Sequence, residues 1–218
     1  TFMPKPLTTE NGNGMHVNLS LFRGEQNAFY DDLDPYKLSE TGYKYIAGLL
    51  RHAPEIACVC CQWVNSYKRL VPGYEAPVYT TWASVNRADL VRVPAYKPGK
   101  ESAVRVEYRS PDPACNPYLA FAVMLASGLD GIENRRRLPT ATDVDAHSMT
   151  TAERAKLKIS MLPQDLSQAI DLAEGSDLVR RALGDHVFEK FIENKKIEWS
   201  TYRAQVTGYE LERDLKLL

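Results

Sequence analysis

Val104-Arg105-Val106-Glu107-Tyr108-Arg109 alternates charged and apolar residues without a break. Successive side chains of a strand point to opposite faces, so Arg105, Glu107 and Arg109 share one face and Val104, Val106 and Tyr108 the other. Three charges spaced about 6.6 Å apart along one strand would cost several kcal/mol if merely buried. They are therefore solvated at an edge, or they face a cleft where ligand and metal charges offset them. Met15-His16-Val17-Asn18-Leu19-Ser20-Leu21 has the same period, with His16, Asn18 and Ser20 on one face and Val17, Leu19 and Leu21 toward the core. The middle of the chain continues in this style. Val71-Pro72-Gly73 signals a turn, Val78 to Trp82 and Leu90 to Val93 have strand composition, and Tyr96 to Ser102 is a Pro/Gly/Lys loop.

Helices flank this β-rich middle. Ser39 is placed to cap a helix whose Tyr43, Ile46, Ala47 and Leu50 form one stripe. Residues 55–64 are an apolar run that fits a strand or a buried helix equally. Asn116 as N-cap and Pro117 at the first helical position open an apolar helix from Tyr118 to about Leu129. A polar loop over about 139–149 precedes Thr150 and Glu153, which have capping-box spacing. Gln164 to Ala173 and Asp177 to Leu183 read as short helices, each followed by a C′ glycine. From Asp185, the residues Phe188, Phe191, Ile192, Trp199, Tyr202 and Val206 keep helical spacing. The expected class is α+β, a strand-borne site with a helical C-terminal part.

Composition narrows the function. With 218 residues, 44% hydrophobic and 25% charged, the chain is of ordinary globular type. Lys and Arg number 27 against 28 Asp and Glu, so no overall field draws it to nucleic acid or anionic lipid. No apolar run approaches the roughly 20 residues of a membrane span, and the mean hydropathy is −0.37. Cys58, Cys60, Cys61 and Cys115 show no zinc-ligand spacing and read as buried thiols in a reducing, cytoplasmic setting. His52, His147 and His186 read as surface residues, and Arg135-Arg136-Arg137 as the complement of a helix C-terminus. The chain opens in mid-motif at Thr1-Phe2-Met3-Pro4-Lys5-Pro6, as part of a longer protein would.

Arg69, Arg87, Arg92, Arg105 and Arg109 fall within about 40 residues of the β-rich region. Arginine suits bidentate carboxylate and phosphate binding. Clustered with one carboxylate and one histidine, these side chains point to phosphoryl transfer, where cations balance charge spread over phosphate oxygens. Glu107 and His16 are candidate ligands for Mg²⁺ or Mn²⁺. Neither a Walker loop nor GxGxxG is present.

The motifs resemble those of one family when taken together. Thr1-Phe2-Met3-Pro4-Lys5-Pro6 with Asn11-Gly12-Asn13-Gly14-Met15-His16 resembles the glutamate- and metal-binding signature of bacterial type I glutamine synthetases. Asn65-Ser66-Tyr67-Lys68-Arg69-Leu70-Val71-Pro72-Gly73-Tyr74-Glu75-Ala76-Pro77 resembles their ATP-region signature. Asn86-Arg87, Arg92-Val93-Pro94, Arg105-Val106-Glu107, Arg109-Ser110-Pro111-Asp112-Pro113 and Asn116-Pro117-Tyr118 continue the pattern to Gly131. The resemblance covers essentially the whole chain. It implies a partial fold of the glutamine synthetase/guanido kinase catalytic type, with a curved antiparallel sheet carrying the site. Residues 1–218 would be the C-terminal portion of that domain, without the β-grasp domain and the front of the catalytic domain.

The resemblance also implies a reaction: ATP-dependent ligation of glutamate and ammonia through γ-glutamyl phosphate, in an oligomer of stacked hexamer rings. Residue by residue, it gives His16 and Glu107 to the metal, and Asn11, Gly12 and Arg69 to glutamate. Arg109 would grip the γ-carboxylate and Arg87 the transferring phosphoryl group. Arg92 and Arg105 would meet nucleotide phosphates, Ser20 would lie near the nucleotide, and Glu75 would bind and deprotonate ammonium. Two departures stand out. Cys61-Gln62-Trp63-Val64 replaces the common Asn-Pro before Asn65, as in an actinobacterial subgroup. His147 stands where adenylylated members carry tyrosine, which implies a non-adenylylated protein. The alternatives are a ligase of the same fold acting on a polyamine or another amine, and a non-catalytic structural or regulatory member. The isolated chain is expected to be at most a weak nucleotide binder.

Overall fold

A computed structural model of the protein describes residues 1–84, 88–142 and 146–217. Its backbone is the helix α1 (Glu40–Cys60), capped by Ser39, whose hydroxyl accepts the Gly42 N–H at 3.2 Å. The undecided apolar run proves to be the far end of α1 and the start of α2 (Val64–Arg69). Residues Ile56 to Cys61 are all buried, and a helix apolar on every side has to be buried. Against α1 lies α3 (Pro117–Glu133), opened by Asn116 and Pro117 as expected. The two helices meet almost backbone to backbone. A Cβ on Gly48 would stand 2.1 Å from the Ser127 carbonyl, and one on Gly131 would stand 2.0 Å from that of Lys44.

Strand β1 (Val17–Leu19) and the hairpin β2 (Phe22–Arg23) and β3 (Gln26–Asn27) precede these helices. The strands β4 (Trp82–Ala83), β5 (Val91–Arg92) and β6 (Val106–Tyr108) follow α2. The main sheet has the order β1-β6-β5-β4. Its strands are shorter than their composition suggests; Tyr79 makes only an isolated bridge to Met161. The sheet is also not wholly antiparallel: β4 and β5 run the same way, with the slanted parallel bonds Val91 N–H to Thr81 O and Val93 N–H to Ala83 O.

Among the described residues, the C-terminal part is helical: α4 (Thr151–Lys156), α5 (Leu166–Glu174), α6 (Asp177–Leu183), α7 (Asp185–Arg203) and α8 (Gly208–Asp214). Thr150 and Glu153 form their capping box. Gly184 takes the left-handed φ of +75° expected after a helix, but Gly175 stays at −80°. Phe188 and Ile192 bury their side chains, whereas Val206 lies past the end of α7 and is exposed. The four cysteines are buried and unpaired. Burial pushes the thiol of Cys58 up to about 12 and likewise that of Cys115, so neither is a nucleophile at neutral pH. Among the described residues, no helix is long and apolar enough to cross a membrane.

Candidate functional site

The register of the sheet assembles the polar face. Asn18 of β1 stands opposite Glu107 of β6, and Glu107 opposite Arg92 of β5. One residue further, Val17 pairs with Tyr108, which sets His16 beside Arg109. Alternation along β1 is as expected, with His16, Asn18 and Ser20 exposed and Met15, Val17 and Leu19 half-buried.

Glu107 is the centre. Its Oε1 accepts from Arg109 Nη1 at 2.6 Å and its Oε2 from Arg92 Nη2 at 2.6 Å. His16 Nδ1 is 3.3 Å from the same Oε1 and 3.2 Å from Arg109 Nη1. Glu107 and Arg109 are each only 5% exposed. The strand's charges are thus compensated among themselves and by Arg92, an arrangement in addition to the solvated and ligand-offset ones. Arg105 alone is solvated, and its Nε donates to Asn18 Oδ1 at 2.9 Å. The Nε–H groups of Arg92 and Arg109 are buried without an acceptor among the described residues. They are unspent donors.

The electrostatics follow from this packing. Burial works against ionisation of Glu107, but the hydrogen bonds from Arg109 and Arg92 outweigh it and hold the carboxyl below its usual range. Burial, then the Arg109 guanidinium, lowers the His16 pKa despite the nearby Glu107. The imidazole is therefore neutral at pH 7, the form that ligates metals. A neutral ring nitrogen beside a carboxylate oxygen fits a divalent cation such as Mg²⁺ or Mn²⁺. Two donors are only part of the six such an ion takes. Among the described residues no group of three or more His, Cys, Asp or Glu could hold a metal alone.

A loop covers a further arginine beside this cluster. Arg69, at the end of α2, is 3% exposed and donates to the carbonyls of Ser110 at 2.7 Å and Arg109 at 3.1 Å. Residues 11–14 lie directly over it. A Cβ on Gly12 would come within 2.6 Å of Arg69 Cγ and 2.7 Å of the Pro4 carbonyl, so only glycine fits there. The loop is tied down by Asn13 N–H to Pro4 O at 2.7 Å and by Lys5 N–H to Asn65 Oδ1 at 2.7 Å. Asn11 Oδ1 accepts the backbone N–H of Glu75 at 3.3 Å, which brings that exposed residue to the same rim.

The structure therefore gathers His16, Arg92, Glu107 and Arg109 into one cluster, with Arg105 at its outer row and Arg69, Asn11, Gly12 and Glu75 beside it. Ser20 is exposed at the far end of β1. Arg87 lies outside the described residues. Sequence reasoning named Asn18 only as a strand residue, yet it anchors Arg105; its place on the His16 face was the available signal. It also passed over Asp112, which is fully buried, accepts the Ala114 N–H at 3.0 Å, and is raised in pKa by burial despite Ser66 and Arg69. Support from α7 was equally hidden. Lys195 bonds the Gln62 carbonyl at 3.1 Å, and Glu198 accepts the Val64 N–H at 3.1 Å, so α7 fixes the start of α2.

The family model for "Glutamine synthetase, catalytic domain" matches residues 1–214. The chain belongs to the glutamine synthetase catalytic-domain family. A curated glutamine synthetase of Mycolicibacterium smegmatis is 50% identical over 217 residues, covering 100% of this chain and 49% of the relative. That of Thermotoga maritima is 49% identical over the same length, again with 49% of the relative covered. Among solved structures, a GmaS/ADP complex superimposes with a TM-score of 0.86 at 35% identity, over 99% of this chain and 49% of that one. The chain thus spans about half the length of the glutamine synthetases it matches.

Proposed function

We propose that residues 1–218 are the C-terminal portion of a glutamine synthetase catalytic domain. The parent protein would join glutamate and ammonia at the expense of ATP, in the cytoplasm and as an oligomer of stacked hexamer rings. The observation that carries this reading is Glu107, buried between Arg92 and Arg109 with His16 beside it, on the polar face of a domain of this family.

The chemistry needs such a face. A γ-carboxylate oxygen of glutamate attacks the γ-phosphorus of ATP, ADP leaves, and γ-glutamyl phosphate forms. Ammonia then attacks the acyl carbon, inorganic phosphate departs, and the surplus proton goes to a base. Both steps bring anions together, and fixed cations lower that barrier most when they are oriented in advance. Arg109, locked on Glu107, would present its remaining N–H groups to the γ-carboxylate. Arg92 and Arg105 would meet the nucleotide phosphates beside Ser20, and Arg87 the transferring phosphoryl group. Arg69 and the Asn11–Gly12 loop would seat the amino-acid end of glutamate, and Glu75 would take the proton of ammonium. His16 and Glu107 would hold Mg²⁺ or Mn²⁺, which when bound supplies charge neutralisation on phosphate oxygens.

The relatives at about 50% identity are glutamine synthetases, while the GmaS structure stands at 35%, so ammonia is favoured over another amine. The test is glutamate-dependent phosphate release from MgATP by the full-length protein, with ammonia and then a panel of alkylamines and polyamines. Turnover with ammonia is expected. Turnover with another amine alone would overturn the acceptor, and glutamate-independent release would overturn the reaction.

A further inference from the structure

A histidine read from the sequence as a surface residue is instead the centre of a second ionic cluster, between α1 and α3. His52 is 7% exposed and lies 2.9 Å from Glu55 Oε2 and 3.0 Å from Asp130 Oδ2. Ser176 Oγ adds a 2.6 Å bond to Glu55. Each carboxylate also holds an arginine: Arg51 Nη1 sits 3.0 Å from Glu55 Oε1, and Arg136 Nε is bonded to Asp130 Oδ2. Arg136 is therefore more than a complement to a helix end; it is anchored on a network centred on the buried His52.

Both anchored arginines line a cavity of about 520 Å³, together with Arg137 and Lys158. Among the described residues, no aspartate or glutamate lines it. Such a volume is typical of small-molecule sites. The overall charge is −1, so four cations around one cavity are not the spill-over of a basic protein. The backbone delivers them by the same device twice. Helices α3 and α4 each end with a left-handed residue that is not glycine, Arg135 at φ +49° and Lys158 at +57°. Each turn is closed by a pair of backward bonds, Arg135 to Ile132 and Arg136 to Gly131 in one, Lys158 to Ala155 and Ile159 to Arg154 in the other. Leu50, Pro54 and Pro139 give the cavity an apolar side.

We propose that this cavity binds a small organic phosphate. Its phosphate group would lie among Arg51, Arg136, Arg137 and Lys158, with its carbon skeleton against Leu50, Pro54 and Pro139. Arginine forks match phosphate oxygens bidentately. Arg51 and Arg136 spend one nitrogen each on a half-buried carboxylate and keep the others for a ligand, already oriented. None of the residues gathered around Glu107 lines the cavity, so the inference stands apart from the ligase reading.

The test uses the full-length protein and inorganic pyrophosphate as probe. Calorimetry on the native protein should show a binding step that Arg137→Gln/Lys158→Gln weakens about tenfold or more. Both residues are exposed, and an unchanged melting curve would verify that the variant is folded. Crystals soaked in tungstate should give an anomalous peak against Arg136 and Arg137. Unaltered pyrophosphate binding by the double variant, or no peak in the cavity, would overturn the proposal. Citrate binding as tightly as pyrophosphate would overturn the phosphate assignment.

Discussion

The protein sets a histidine among carboxylates and arginines twice, His52 buried and His16 exposed, and the two clusters differ in their balance of charge. Between α1 and α3, the two carboxylates Glu55 and Asp130 share His52, and each holds one guanidinium. On the sheet, the single carboxylate of Glu107 faces both Arg92 and Arg109, with His16 kept neutral beside it. Removing one partner of a buried pair is costly, while an intact pair adds little net stability. The balanced cluster therefore serves to fix helices and their arginines in place. The unbalanced one leaves cation in excess and donors unspent, the condition for receiving an anionic substrate.

The largest expected effect is that of Glu107→Ala. It strands the buried guanidinium of Arg109 and the half-buried one of Arg92, and should lower stability by about 3–5 kcal/mol, measured by urea unfolding, and lower turnover of the full-length protein by about 10³-fold. Stability within about 1 kcal/mol of native would mean that the arginines are effectively solvated, and the contrast between the clusters would break. Gly12→Ala comes next. Its Cβ has no room over Arg69, so the loop must shift, and kcat/KM for glutamate should fall by up to about 10²-fold, an effect read by steady-state kinetics.

The balanced cluster is tested by pH. Burial raises the carboxyls of Glu55 and Asp130, but the bonds from His52 and Ser176 to the first, and from Arg136 and His52 to the second, leave both below their ordinary range. Their folded pKa values lie under the unfolded ones, so their stabilisation is present above the unfolded values and is lost as pH falls through the folded ones. Glu55→Gln/Asp130→Asn should cost about 1–3 kcal/mol at pH 7. That difference from native should shrink as pH falls below about 4; a pH-independent difference would contradict it. The smallest effect belongs to Arg105→Ala. This residue is exposed and should leave the melting temperature unmoved while raising the KM for ATP more than it lowers kcat.

Legibility in the sequence followed the range of the contacts. Arg105, Glu107 and Arg109 could be placed on one face because strand period acts within six residues. That Asn18, Glu107 and Arg92 form one row could not be read, because nothing local dictates which strands pair. His52 was misread for a similar reason: one partner, Asp130, lies 78 residues away on another helix. The run 55–64 stayed undecided because a helix end buried on all sides carries no periodicity. The caps at Ser39, Asn116 and Thr150 were legible, since each is a contact between near neighbours. The tie between Asn11 and Glu75 depends on a loop folding back over 64 residues; the family resemblance gave the two residues separate roles and no contact.

The most direct test of the central claim, that the face around Glu107 performs phosphoryl transfer to a carboxylate, is positional isotope exchange. ATP labelled with ¹⁸O in the β,γ-bridge is incubated with the full-length protein, glutamate and Mg²⁺, without ammonia. The expected result is scrambling of the bridge oxygen that requires glutamate and disappears in Arg109→Gln, while ATP still binds. Scrambling that persists in Arg109→Gln, or that proceeds without glutamate, would contradict it.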